Sequence, residues 1–380
     1  MNLTKYKLGD LIVQRREKNN NYDVPIRGVS KEGFIPAKQK DADTSIYNVF
    51  YKYDFVFNPA RMELNSIALN LEYDKALCSS LYEVFYVKDE SIVLPEFLNL
   101  HIKRDEFARH CDYIGLGSAR EYCRFANIAE FDIKIPPIEV QREIVKADRQ
   151  IKRRIRLNKQ MIEKLEATAQ ALYRKMFVDG IDKENLPEGW RIGTLEDLGE
   201  IVGGATPSTE VAEYWSDNDI TWLSPADLSK QGVKFIAKGA KDITSLGFKS
   251  CSTRMLPEHS ILFSSRAPIG LMAINTCEVC TNQGFKSLAP NSEIGYPYAY
   301  YYLLSLRDKI AEENAGSTFD EVSGKTMKEY EAIIPPRELT DKFTALATPI
   351  FKQQELKEQE NSKLSELQSL LLAKIGNLKQ

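Results

Sequence analysis

The chain repeats itself, and a sequence built from two copies of one unit is constrained to fold as two copies of one architecture. Ile135-Pro136-Pro137-Ile138-Glu139 opens a long helical pattern, and Ile334-Pro335-Pro336-Arg337-Glu338 opens another 199 residues later. The same offset pairs Ile151 with Ile350, Lys164-Leu165 with Lys363-Leu364, Leu172 with Leu371, and Lys175 with Lys374. Upstream it pairs Gly117-Ser118 with Gly316-Ser317. The copies also start alike, Leu8-Gly9-Asp10-Leu11 matching Leu195-Glu196-Asp197-Leu198 at an offset of 187. The two offsets differ by about a dozen residues, so the second copy is the longer one.

Each copy has a leading and a trailing part. The leading parts, about 1–135 and 187–333, are rich in β-branched and aromatic runs such as Leu81-Tyr82-Glu83-Val84-Phe85-Tyr86-Val87 and Ser260-Ile261-Leu262-Phe263. Turn residues punctuate these runs, and helical stretches intervene from Pro95 to Arg109 and from Tyr298 to Asn314. That pattern predicts an α+β domain. The trailing parts predict single long helices. In the first, Ile151, Ile155, Asn158, Ile162, Leu165, Ala169, Leu172 and Met176 alternate spacings of four and three, the seam of a coiled coil. Asn158 is the polar residue that fixes register in such a seam. The preceding prolines suit a strand-to-helix junction and Gly180 suits the helix end. The last helix carries the theme on Phe343, Leu346, Ile350, Leu364, Leu367, Leu371 and Ile375, around a polar centre from Lys352 to Ser362.

The expected architecture is therefore α+β with a pseudo-twofold internal repeat: two mixed globular domains, 1–137 and 181–336, separated by long antiparallel coiled-coil helices, 138–180 and 337–380. A 40-residue helix spans about 60 Å. The alternative, two core helices of one large domain, is disfavoured by the length of the seam.

Charge excludes a uniformly basic nucleic-acid binder, because the net formal charge is −3. Residues 138–180 carry 11 Lys/Arg against 6 Asp/Glu, whereas residues 181–336 carry 14 against 22. Any phosphate-binding surface must be local. Arg149 to Lys159 is the strongest basic run, readable as a solvated face, a phosphate-facing stripe or a dock for an acidic partner. Scattered cysteines and no export signal predict free thiols, and no metal-ligand spacing involves His101, His110, His259 or the lone Cys277-Glu278-Val279-Cys280. No apolar run approaches the roughly 18 residues of a membrane span, so a cytoplasmic protein is expected.

Two variable α+β domains, each followed by a long helix opened by Ile-Pro-Pro, resemble the specificity subunits of type I restriction-modification systems over essentially the whole chain. The best motifs lie in the second copy. They begin with Leu186-Pro187-Glu188-Gly189-Trp190, Gly203-Gly204-Ala205-Thr206-Pro207-Ser208 and Ile220-Thr221-Trp222-Leu223-Ser224-Pro225. Leu262-Phe263-Ser264-Ser265-Arg266, Thr281-Asn282-Gln283-Gly284-Phe285 and Gly316-Ser317-Thr318-Phe319 follow in order. The first copy departs from them: it lacks the Leu-Pro-Glu-Gly-Trp start and the Gly-Gly-x-Thr-Pro turn, and has Phe57-Asn58-Pro59-Ala60-Arg61 where the second has Phe263-Ser264-Ser265-Arg266. The two domains are thus expected to read different sequences.

The resemblance implies a non-catalytic chain that reads one half of a bipartite, asymmetric DNA site with each domain. Candidate DNA contacts in the first copy are Asn58, Arg61, Arg120, Tyr122 and Arg124. In the second they are Gly204, Thr206, Ser208, Ser264, Ser265, Arg266, Asn282, Gln283, Ser317 and Thr318. A guanidinium suits phosphate or the guanine edge, and an amide suits adenine. The helices would set half-site spacing and dock two methyltransferase subunits, with Arg149, Arg153, Asn158, Leu165, Leu172, Ile350, Leu364 and Leu371 as candidate partner-binding positions. Restriction subunits would complete the assembly. S-adenosylmethionine, ATP and magnesium are expected on those partners, with no cofactor in this chain. In keeping with that, the sequence has no phosphate loop and no Asn/Asp-Pro-Pro-Tyr/Phe motif of amino-methyltransferases. The alternatives are a specificity subunit of a related two-sided-cutting system and a coiled-coil scaffold that reads no DNA.

Overall fold

A computed structural model describes residues 3–37, 43–115, 122–266, 268–314 and 321–376. The chain divides into two compact units: residues 1–155 with 363–380, and residues 156–362.

In the first unit, β1 (Thr4–Lys7), α1 (Leu8–Leu11) and β2 (Ile12–Arg15) are followed by the hairpin β3 (Arg27–Ser30) and β4 (Gly33–Pro36). Then come β5 (Asn48–Tyr51), β6 (Phe55–Phe57), β7 (Ile67–Leu69), β8 (Lys75–Cys78) and β9 (Glu83–Val87). Helices α2 (Pro95–Ile102), α3 (Asp105–Gly115) and α4 (Phe125–Ala129) lead to β10 (Asp132–Ile135) and the long α5 (Ile138–Phe177). Strands β2, β9, β6 and β7 form an antiparallel sheet in that order. Its inward side chains, Phe55, Phe57 and Phe85, are fully buried against α2 and α3.

The second unit repeats this frame: β11 (Arg191–Thr194), α6 (Leu195–Leu198) and β12 (Gly199–Gly203) open it. Two short strands, β13 (Trp215–Ser216) and β14 (Ile220–Leu223), precede α7 (Pro225–Gln231), β15 (Phe235–Ile236), β16 (Lys241–Ile243) and α8 (Ser245–Ser250). Strands β17 (Ile261–Phe263), β18 (Met272–Asn275), β19 (Cys280–Thr281) and β20 (Lys286–Pro290) follow, then α9 (Tyr296–Asn314), α10 (Gly324–Glu329), β21 (Glu331–Ile334) and α11 (Arg337–Gly376). The main sheet is β12-β20-β17-β18-β15, the order of the first unit with one strand added.

The duplication is written into hydrogen bonds. Strand β1 pairs antiparallel with β10, Thr4 facing Ile135, and β11 pairs with β21, Arg191 facing Ile334. Shifting the first register by the two sequence offsets, 187 and 199, gives the second. Leu8 N–H donates to Phe131 O (2.8 Å) and Leu195 N–H to Tyr330 O (2.9 Å), again matched positions. Asp10 and Asp197 each accept the backbone N–H three residues earlier, capping the short helix that turns the chain into the sheet.

The two long helices pair antiparallel within each unit. In the second unit Tyr173 and Phe177 of α5 meet Phe343 of α11 at ring-centroid distances of 6.0 and 5.2 Å. Asn158 donates to Asn361 (3.0 Å), giving the one polar seam residue a polar mate. In the first unit Gln368 donates to Asp148 (2.7 Å), and Ile375 packs into the core beside Val145. Along α5 the seam positions Ile151, Asn158 and Ala169 are buried, and Ile155, Ile162, Leu165, Leu172 and Met176 half-buried. Two expected seam residues of α11 fall outside it, since Leu346 and Leu367 are 47% and 51% exposed. Ala347, Phe351 and Gln354 are buried instead. The helix runs through Pro349, so the apolar pattern around it belongs to one continuous element. Helix α5 stops at Phe177, and Gly180 follows at φ +78°, a left-handed backbone that glycine adopts freely.

Candidate nucleic-acid interface

In the first unit the chain leaving β6 is turned by Asn58, whose side-chain oxygen accepts the Ala60 N–H (3.1 Å) and caps a 3₁₀ segment, Pro59–Leu64. This segment presents the exposed Arg61 at the wall of a cleft of about 1150 Å³. The β3–β4 hairpin, the Ser79–Tyr82 turn and the Tyr122-to-Arg124 segment complete the walls. Among the described residues five Lys/Arg line it against three Asp/Glu, a local excess of positive charge that the net charge conceals. Burial lowers the ammonium of Lys103 to about 8, and its Nζ donates to the carbonyls of Ile67 (2.8 Å) and Lys31 (3.1 Å). Arg124 lies 5.4 Å over the Tyr122 ring and 3.3 Å from Glu83. The structure thus gathers Asn58, Arg61, Tyr122 and Arg124 in one concavity. Arg120 lies outside the described residues.

In the second unit the Gly203-to-Ser208 turn is clamped from below. A Cβ on Gly204 would sit 2.1 Å from Thr281 O, so only glycine lets this turn lie on the Thr281-Asn282 backbone. The close approach is to protein backbone. Ala205 N–H donates to Thr281 O (2.9 Å), and two indoles fix the carbonyls: Trp222 Nε1 to Ala205 O and Trp215 Nε1 to Ser208 O, both 3.0 Å. Thr206 then meets Gln283 (2.5 Å), and Ser208 is left exposed. Asn282 spends its Oδ1 on the Gly284 N–H (2.9 Å), which shapes the turn that presents Gln283. Ser264 and Ser265 are fully buried, and Ser264 bridges its own loop by donating to Pro268 O and accepting from Leu271 N–H. Arg266 is half exposed and pairs with Glu321 (2.9 Å), which also meets Lys286 (3.3 Å). Burial works against ionisation of Glu321, but Arg266 and Lys286 together hold its carboxyl below the usual range. Ser317 and Thr318 lie outside the described residues.

The basic run on α5 begins earlier than its sequence peak. Arg142, Lys146, Arg149 and Arg153 stand at spacings of four, three and four along a groove of about 500 Å³ in the first unit. Arg149 is already paired with Glu96, and Arg142 with Glu139 (2.7 Å). Of the remaining candidate partner-binding positions, Leu165, Leu172, Ile350, Leu364 and Leu371 are half-buried, while the apolar Leu157, Met161 and Leu356 are exposed. Cys277 and Cys280 each donate to a backbone carbonyl, and no group of three or more His, Cys, Asp or Glu among the described residues is arranged to hold a metal.

The family model for the type I restriction modification DNA specificity domain matches the chain twice, over residues 3–167 and 187–366. The chain belongs to that family. The two matches of the specificity domain coincide with the two copies read from the repeat. A relative from Methanocaldococcus jannaschii, the type I restriction enzyme MjaIX specificity subunit, is 35% identical over 49% of this chain and 43% of its own length. The HindI specificity subunit of Haemophilus influenzae is 24% identical over 76% of this chain and 78% of its own. The chain therefore spans less than half of the first relative and about three quarters of the second. A solved S subunit of a type I restriction-modification system from M. genitalium shares the fold: its TM-score is 0.66 at 15% identity, covering 98% of this chain and 96% of that one. Among the described residues no helix is long and apolar enough to cross a membrane.

Sequence reasoning about these specificity domains missed Lys103, Lys286 and Glu321. Each is a single charged residue on a strand or loop edge, and only the fold brings it beside the motif residues.

Proposed function

We propose that this chain is the DNA-reading, non-catalytic subunit of a type I restriction-modification complex, each copy reading one half of a bipartite asymmetric site. The observation that carries the reading is the duplicated junction after the third strand of each main sheet. There Cys123 N–H donates to Pro59 O (3.1 Å), and Val322 N–H donates to Ser265 O (2.9 Å). One conserved framework thus presents a different surface twice: Arg61, Tyr122 and Arg124 in the first copy, Arg266, Gln283 and Thr206 in the second. Two rigid frames with divergent polar loops suit two different half-sites.

In this reading Arg61 and Arg266 contact phosphate or guanine, and Gln283 offers a paired donor and acceptor to adenine. Ser264, Asn282 and Gly204 act through the loops they hold. Two methyltransferase subunits dock on the long helices and supply S-adenosylmethionine chemistry, and restriction subunits supply ATP- and magnesium-dependent translocation and cleavage. Methylome sequencing of a host expressing this chain with its cognate methyltransferase tests the reading. The expected result is modification at one bipartite motif whose halves change independently when either copy is exchanged. Modification of a continuous motif, or both halves changing with one copy, overturns it.

A further inference from the structure

The two copies wire the same junction with opposite charge. In the first unit the edge of β9 carries Glu83, paired with Arg124 and accepting the Phe125 N–H (2.7 Å). In the second unit the corresponding edge of β20 carries Lys286, and the acid stands across from it at Glu321. The residue matching Glu321 in the first copy, at the offset of 199, is Tyr122. Arg61 consequently has no carboxylate partner among the described residues, whereas Arg266 is held by one at 2.9 Å.

Glu321 meets two cations of different exposure. The Arg266 side chain is 47% exposed and that of Glu321 29%, so water solvates this pair, whereas Lys286 is 15% exposed and keeps contacts of 3.5 Å to Ser265 Oγ and Gln283 O. The backbone bridge between Arg266 and Glu321 already fixes the junction. What the carboxylate does is neutralise two cations on the surface where a phosphate would approach. The exposed Arg266–Glu321 pair contributes little to folding and exchanges readily for another anion.

We infer that Glu321 is an exchangeable counter-charge that occupies Arg266 and Lys286 in the DNA-free second copy and so weakens the phosphate-driven binding of this copy to any duplex. The inference rests on the proposal that this copy reads duplex DNA. On any duplex Arg266 and Lys286 must leave Glu321 before they meet phosphate, so the exchange lowers affinity for target and non-target alike. On the target, base-edge contacts add to the phosphate contacts and offset that loss.

The test uses the full chain assembled with its methyltransferase subunits, binding target and shuffled duplexes over a salt series. Glu321→Gln keeps size and hydrogen bonding while removing the charge. The expected result is roughly five- to ten-fold tighter binding to the shuffled duplex, with a salt slope steeper by about one. Target affinity should rise by a similar factor. The gain should vanish in the Arg266→Gln, Lys286→Gln background, and thermal unfolding should be unchanged. If the wild-type complex discriminates but Glu321→Gln binds shuffled DNA as before, Glu321 is no counter-charge and the DNA-reading proposal survives. If Glu321→Gln instead weakens target binding at one base position, the residue reads that base and the inference falls. A wild-type complex that does not distinguish target from shuffled duplex removes the underlying reading and this inference with it.

Discussion

Single residues here do more to shape loops than their motif positions suggest. Gly204 was legible as a turn glycine, but its reason lies in backbone 77 positions away, at Thr281. Gly204→Ala places a methyl group against that rigid carbonyl and should cost about 1–3 kcal/mol, the range for overpacking. A lower melting temperature together with weakened protection of only the second half-site would bear this out; an unchanged melting temperature would show that the turn can lift away. His101 offers a pH-dependent counterpart in the first unit. Burial, with help from Arg104, lowers its pKa from 6.5 to about 3, and Arg104 donates to its Nδ1 (3.1 Å), so the folded ring is neutral. The unfolded chain takes up a proton below pH 6.5 while the folded one does not until about pH 3. Stability should therefore fall as pH drops through that window, and be insensitive to this residue above it. Melting curves at pH 5 and 7.5 should differ less for His101→Gln than for the wild type.

At the scale of elements, the best-read features were those set by local periodicity. The seam from Ile151 to Met176 was legible because burial on a helix repeats every three to four residues. The C-terminal seam was read less well. Leu346 and Leu367 are apolar but point outward, whereas Gln354 and Glu355 are buried, because the neighbours that decide come from elsewhere in the fold. For Gln354 that neighbour is Lys234. It lies just before β15, with its side chain 9% exposed, and reaches Glu166 of α5 (2.8 Å) and Gln354 of α11 (3.3 Å). The Glu358 carboxylate accepts the Lys234 and Phe235 N–H groups, and Lys234 Nζ stands 3.5 Å from the Phe351 ring centroid. No spacing in the sequence announces this cluster, which joins residues 68 to 188 positions apart. Lys234→Met leaves the half-buried Glu166 and Glu358 carboxylates without their cation and should cost at most about 3–5 kcal/mol. Adding Glu166→Leu should recover part of that loss in urea unfolding, since a buried pair replaced as a pair is far less costly than a pair broken. If the double variant is no more stable than Lys234→Met, the cluster is not an electrostatic unit. The candidate site follows the same logic: arginines after strands were legible, but which acid or aromatic faces each one is fixed by strand pairing between distant segments.

For the molecule as a whole, one fact of connectivity bears on function: α5 gives its first half to one compact unit and its second half to the other, and α11 does the same in reverse. Under the proposed reading, the recognition loops and the spacing between half-sites are then properties of different parts of the chain and should be separable by engineering. Asn158 and Asn361 mark where the two helices face each other. Inserting seven residues beside each of them keeps the four-three seam in phase, because a heptad returns the apolar stripe to nearly the same face. It lengthens each helix by about 10 Å, seven residues at about 1.5 Å each, the axial length of about three base pairs at about 3.4 Å each. Inserting seven into only one helix would instead strand its partner's seam and should destabilise the pair. The expected outcome of the double insertion is a modified motif with both half-sites intact and a longer unspecified stretch between them, read by methylome sequencing. A motif with altered half-site bases would mean that the helices take part in reading, and an unchanged spacer would mean that something other than these helices measures the distance.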